Sequence, residues 1–136
     1  LGDVYKRQVE EEYFRSLQYV KERLTSLKKD DEDIILIGHS QGGGLVVHIA
    51  LDMKLKMVIS ICGDLPYNIS YTNNSVTPIY WCEGGKDTYI DANRKSSHFF
   101  LKDIGANYLY QVLPNSTHNE FTKDLMSLVE NIKISS

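Results

Sequence analysis

Ser40 sits with Gly38 two residues before it and Gly42 two residues after it, in the run DIILIGHSQGGGLVVHIA from Asp33 to Ala50. A serine hydroxyl is a weak nucleophile until an imidazole takes its proton. The imidazole works best when a carboxylate fixes its tautomer and stabilises the cation that forms. Gly-x-Ser-x-Gly serves that chemistry through the backbone. The turn from strand to helix is so sharp that large side chains two residues either side of the serine are expected to clash, and the helix start beyond favours an oxyanion. On this reading the backbone N–H of Gln41 is one oxyanion donor. A plain helix N-cap is the competing role for Ser40, and the flanking glycines argue against it.

Partners for Ser40 are sought further along the chain. Asp87 follows Gly84-Gly85 at the end of an apolar run, and His118 lies beyond Pro114 after another. Asp87 competes with Glu83 and Asp91, because a loop aspartate is commonly a turn former. His118 competes with His39, His48 and His98. His39 is expected to point elsewhere on the turn, His48 falls in the helical pattern after Ser40, and His98 precedes an apolar helical pair. The order Ser, Asp, His along the chain suits a strand-to-helix nucleophile of this kind.

The elements that would hold these residues are legible from periodicity. Apolar or aromatic residues at Val9, Tyr13, Phe14, Leu17, Val20, Leu24 and Leu27 form a helical stripe, giving a helix over Val9 to Lys29. DIILIG is a short β-branched run of the kind buried on both faces of a parallel sheet, and the pattern after Ser40 is helical through Ala50. KMVISICG and the segment from Thr77, TPIYWCEGG, repeat the strand signal, with the Asn-rich loop DLPYNISYTNNSV between them. Asp91 can cap a helix running to about Asp103, which Gly105 ends. NYLYQVL gives a fourth strand, and Phe121, Leu125, Leu128, Val129 and Ile132 lay out a last amphipathic helix. This alternation predicts the α/β class, a mostly parallel sheet with helices on both faces. Chemistry in such sheets gathers beyond the carboxyl ends of the strands, where Ser40, Asp87 and His118 all fall.

Composition narrows the partners. The net charge is −3 over 136 residues, without a long cationic run, which argues against nucleic acid. No stretch approaches the roughly 18 apolar residues of a transmembrane helix. Cys62 and Cys82 lack metal-ligand spacing and read as small apolar residues of buried strands. Neither a metal nor an organic cofactor is expected. The first eight residues, LGDVYKRQ, match the in-frame translation of a transposase sequencing adapter, so Leu1 to Gln8 are expected to be a scar and Val9 the first native residue. The remainder is then expected to be the C-terminal part of one domain.

These segments resemble the α/β-hydrolase superfamily, and within it the phospholipase/carboxylesterase group that includes the acyl-protein thioesterases. IILIGHSQGGGLVVHIAL is similar to that group's Gly-Phe-Ser-Gln-Gly-Gly nucleophile segment, with His39 in place of Phe. VISICGDLP resembles its strand followed by a Leu-Pro loop. PIYWCEGGKDTYI is similar to its strand followed by Gly-x-x-Asp-x-x-Val, with Glu83 where the group has His and Ile90 where it has Val. YQVLPNSTHNE is similar to the segment bearing the general base, without the glycines common before that histidine.

The resemblance implies a serine hydrolase with Ser40 as nucleophile, Asp87 as acid and His118 as base. The substrates it implies are small-molecule or lipid-like esters or thioesters, including acylated proteins, and the setting is cytoplasmic. It also implies that the second oxyanion donor belongs to a loop upstream of Val9, so these 136 residues alone are expected to be weakly active or inactive. The alternatives are another hydrolase of this fold, a lipase or peptidase, and a ligand-binding module without catalysis. Such modules commonly lack the acid or the base, and here candidates for all three residues are present.

Overall fold

The computed structural model describes residues 2–27, 34–66, 70–90 and 98–135, the side chains of 2–10 and 133–135 excepted. Helix α1 covers Gly2–Leu27, β1 Ile35–His39, α2 Gln41–Asp52, β2 Met57–Ile61, β3 Ile79–Gly84, α3 Phe99–Asp103, β4 Tyr108–Leu113 and α4 Thr122–Ser135. The four strands form one sheet in the order β1-β2-β3-β4, every neighbouring pair parallel. The chain belongs in the α/β class, as the alternation of periods implied.

Side-chain alternation divides the core between the two faces of the sheet. On one face, Val58 of β2 and Ile79 and Trp81 of β3 pack with Leu17 and Leu24 of α1, Val46, Val47, Ile49 and Ala50 of α2, and Leu101 of α3. On the other, Met57, Ile59 and Ile61 of β2 and Cys82 of β3 meet Phe121, Leu125, Leu128, Val129 and Ile132 along and just before α4. Each fully buried aliphatic side chain contributes roughly 1.5–3 kcal/mol. Among the described residues, no helix is long and apolar enough to cross a membrane.

Helix α1 packs through the expected Leu17, Val20 and Leu24, while Phe14 and Leu27 stand out from the sheet. Two expectations are corrected. Helix α1 starts at Gly2 instead of Val9, because DVYKRQ contains neither Pro nor Gly to stop it. β1 is not buried on both faces. It lies at the sheet edge, where Ile35 and Ile37 are about half exposed, on a sheet whose second core cluster joins α4 to β2 and β3. Only β2 is buried at all five positions. The proposed Asp91 cap and residues Lys28 and Lys29 lie outside the described residues, whereas α3 ends at Asp103 and Gly105 adopts φ 73°, as a helix stop requires.

Candidate active site

Ser40 occupies the single residue between β1 and α2 and has φ 58° and ψ −119°. A non-glycine residue in such a region costs on the order of 1–3 kcal/mol and persists only where its surroundings hold it. Here they do. Its N–H donates to the Ile61 carbonyl at 2.9 Å, and its own carbonyl accepts the N–H groups of Gly44 at 3.2 Å and Asp64 at 3.1 Å. Its side chain makes no cap hydrogen bond to α2, so the hydroxyl is available for other partners.

The glycine requirement differs from the expectation. A Cβ on Gly38 would lie 2.1 Å from the Gly42 carbonyl oxygen, and one on Gly44 would lie 2.2 Å from the Asp64 carbonyl oxygen. A Cβ on Gly42 would meet nothing within 4 Å. The crowding therefore lies before Ser40 and one turn into α2, where the helix presses on the exit of β2.

The exits of β3 and β4 bring up the other two residues. Asp87 follows β3 in a turn tied to β4's exit by Gly85 N–H to the Leu113 carbonyl and Lys86 N–H to the Ser116 carbonyl, both at 2.9 Å. The loop bearing His118 is secured to α4 by the Asp124 carboxylate, which accepts the Asn115 N–H at 3.0 Å and the Ser116 hydroxyl at 2.7 Å. The result is a chain of contacts. Ser40 Oγ lies 3.0 Å from His118 Nε2, and His118 Nδ1 lies 2.9 Å from Asp87 Oδ2. Asp87 Oδ1 accepts the N–H groups of Tyr89 at 2.8 Å and Ile90 at 3.3 Å. Burial alone would raise the Asp87 carboxyl, but the hydrogen bond to His118 and those two N–H groups outweigh it and hold the carboxyl below its ordinary value. Gln41 opens α2, so its N–H is among those without a partner inside the helix.

The competing residues are elsewhere or differently employed. Tyr13 OH and His48 Nδ1 lie 3.0 Å apart at the α1–α2 contact. His98 is buried and stacks on Tyr110, with ring centroids 4.5 Å apart. The Tyr110 hydroxyl donates to Glu83. Asp91 lies outside the described residues.

Three neighbours escaped the sequence reading. His39 does not point away: its Nε2 lies 2.5 Å from the His118 carbonyl oxygen, and its ring packs against those of His118 and Phe121. Tyr89 lays its ring over His118 at 4.5 Å. Cys62 is buried as expected, but it sits just past β2 with φ 49°, and its thiol, the Asp87 carboxylate and a His118 ring nitrogen all lie within 4.8 Å of one another. A sulfur, an oxygen and a nitrogen so placed could hold a metal ion. Sequence spacing gave no signal for that cluster, because three separate strand exits contribute to it.

Residues 6–136 match the phospholipase/carboxylesterase family. The chain belongs to that family. Methylesterase 2 of Arabidopsis thaliana is 32% identical over an alignment of 101 residues that covers 67% of this chain and 38% of that protein. Among solved structures, Arabidopsis thaliana SOBER1 superposes with a TM-score of 0.71 at 22% identity, over 92% of this chain and 63% of that one. Zea mays acyl-protein thioesterase 2 gives a TM-score of 0.71 at 18% identity, over 91% of this chain and 64% of that one. These structural likenesses show the α/β-hydrolase fold. The chain thus spans well under half the length of the curated relative and less than two thirds of these structures.

Proposed function

We propose that the protein is a serine hydrolase that transfers the acyl group of a carboxylic ester or thioester to water, with Ser40 as nucleophile, His118 as general base and acid, and Asp87 as the group that orients His118. The observation that carries the reading is the continuous contact from Ser40 Oγ through both His118 nitrogens to a carboxylate whose other oxygen accepts two backbone N–H groups. Ser40 attacks the acyl carbonyl as its proton passes to Nε2. The oxyanion is met by the Gln41 N–H, at the positive end of α2. His118 then returns the proton to the departing alcohol or thiol, and activates the water that frees the acid.

Membership in the family, together with its match to an acyl-protein thioesterase fold, favours acyl chains on small alcohols, lysophospholipids or cysteine thiols as substrates. The test is covalent labelling. A fluorophosphonate reacts only with a serine whose proton has an acceptor, so it should modify Ser40 in the folded protein. His118→Ala should abolish most of the labelling, and Asp103→Ala, at an exposed helix end, should leave it unchanged. Equal labelling of folded wild type and His118→Ala would remove the reading.

A further inference from the structure

We propose that Cys62 Sγ, an Asp87 carboxylate oxygen and His118 Nδ1 form an inhibitory site for a soft divalent cation, Zn²⁺ or Cd²⁺, immediately behind the serine. The inhibitory part rests on the assignment of His118 as the base for Ser40; the binding part rests only on the three donors. Acyl transfer makes no use of the Cys62 thiol, yet the exit of β2 brings it to the acid and the base together: the thiol, a carboxylate oxygen and a His118 ring nitrogen lie within 4.8 Å of one another, and Nδ1 is the nitrogen that faces Asp87.

One sulfur, one nitrogen and one oxygen make a donor set suited to borderline-soft ions. Zinc bonds of about 2.0 Å to nitrogen or oxygen and about 2.3 Å to sulfur hold neighbouring ligand atoms roughly 3.3–3.7 Å apart. The Asp87–His118 contact of 2.9 Å therefore opens slightly and Cys62 moves in by about an ångström, less for the larger Cd²⁺. A small cavity lined by Cys62, Glu83, Gly84 and Asp87 lies alongside. The charges balance: the thiol releases its proton to solvent, and thiolate plus carboxylate neutralise the ion, so no uncompensated charge is buried.

Inhibition follows from the histidine tautomer. A neutral imidazole that gives its Nδ1 lone pair to a metal carries its proton on Nε2. That Nε2–H can donate to Ser40 Oγ at its 3.0 Å separation but can no longer accept the serine proton. The ion thereby switches off the base without touching the nucleophile.

The experiment is a Cd²⁺ titration of this chain, followed by thiolate-to-cadmium charge-transfer absorbance and by proton release. Saturable absorbance with one proton released per ion is expected, lost in Cys62→Ser and kept in Cys82→Ser. Absence of saturable absorbance, or its retention in Cys62→Ser, overturns the site. Should Cys62→Ser lose the wild-type circular dichroism, zinc-edge X-ray absorption of the wild type decides. A shell with one sulfur near 2.3 Å supports the site, and a shell of nitrogen and oxygen alone overturns it. Saturating Zn²⁺ should slow fluorophosphonate labelling of Ser40 by about 10²-fold or more, as loss of a general base does, and a chelator should restore it. Undiminished labelling at saturation overturns the inhibitory role. A folded protein that is unlabelled before metal is added sinks the hydrolase reading instead, and the spectra alone then judge the site.

Discussion

His39 is bound to His118 through the backbone: its Nε2 lies 2.5 Å from the His118 carbonyl oxygen, and the two rings stand 4.9 Å apart. The residue before the nucleophile thus anchors the loop that carries the proposed base. His39→Phe keeps a ring against Phe121 but removes the N–H donor. One neutral hydrogen bond is worth about 1 kcal/mol, so the rate of fluorophosphonate acylation of Ser40 should fall about 3- to 10-fold with little change in the melting temperature. An unchanged rate would show that packing alone positions the loop.

Gly38 and Gly42 should respond oppositely to alanine. At Gly38 the new Cβ meets a backbone carbonyl oxygen at 2.1 Å and the Val46 side chain at 2.9 Å, so backbone has to move. A loss of roughly 1–3 kcal/mol or more is expected in urea unfolding. At Gly42 the Cβ enters open space within a helix, and the exchange should be neutral or stabilising by up to about 1 kcal/mol. Equal destabilisation by the two would contradict the geometry of the turn.

Asp87→Asn retains the shape of the side chain but not the acceptor pair that holds the His118 Nδ1–H tautomer. In serine hydrolases of this design the equivalent change costs about 10⁴ in rate. On the proposed hydrolase reading a loss of about 10³–10⁴ in esterase turnover is therefore expected, whereas Asp103→Ala should be silent. A loss below about tenfold would assign the orienting role to another group.

Stability should fall in mild acid, and His48 should account for part of the fall. Desolvation by burial lowers its pKa from the ordinary 6.5, opposed by Asp52 and assisted by Lys21. The unfolded chain therefore binds a proton at His48 before the folded protein does, so unfolding is favoured as pH drops below about 6.5 and until the lower folded value is reached. Above 6.5 both states are neutral and the effect vanishes. The Tyr13 hydroxyl, 3.0 Å from Nδ1, is placed to donate to the neutral ring. Urea midpoints taken between pH 7 and pH 5 should slope less in His48→Gln than in wild type; parallel slopes would exclude His48 as the source.

Local pattern determined much of this protein. The strand-to-helix junction at Ser40, the order of helices and strands, and the placement of Asp87 and His118 after strand ends are all written in periods of two and 3.6 and in turn residues, which depend on near neighbours in the chain. Tertiary structure decided what depends on distant segments meeting. It brought Cys62 from the exit of β2 beside Asp87 and His118, turned His39 onto the His118 carbonyl, and left Ile35 and Ile37 half exposed on the edge strand. It also located the tight glycine contacts at Gly38 and Gly44 instead of Gly42, because crowding is set by how closely β1 approaches the first turn of α2 and how closely α2 presses on the exit of β2. Such contacts join residues separated by tens of positions, and no local period records which side chains will face each other once the sheet has closed the distance.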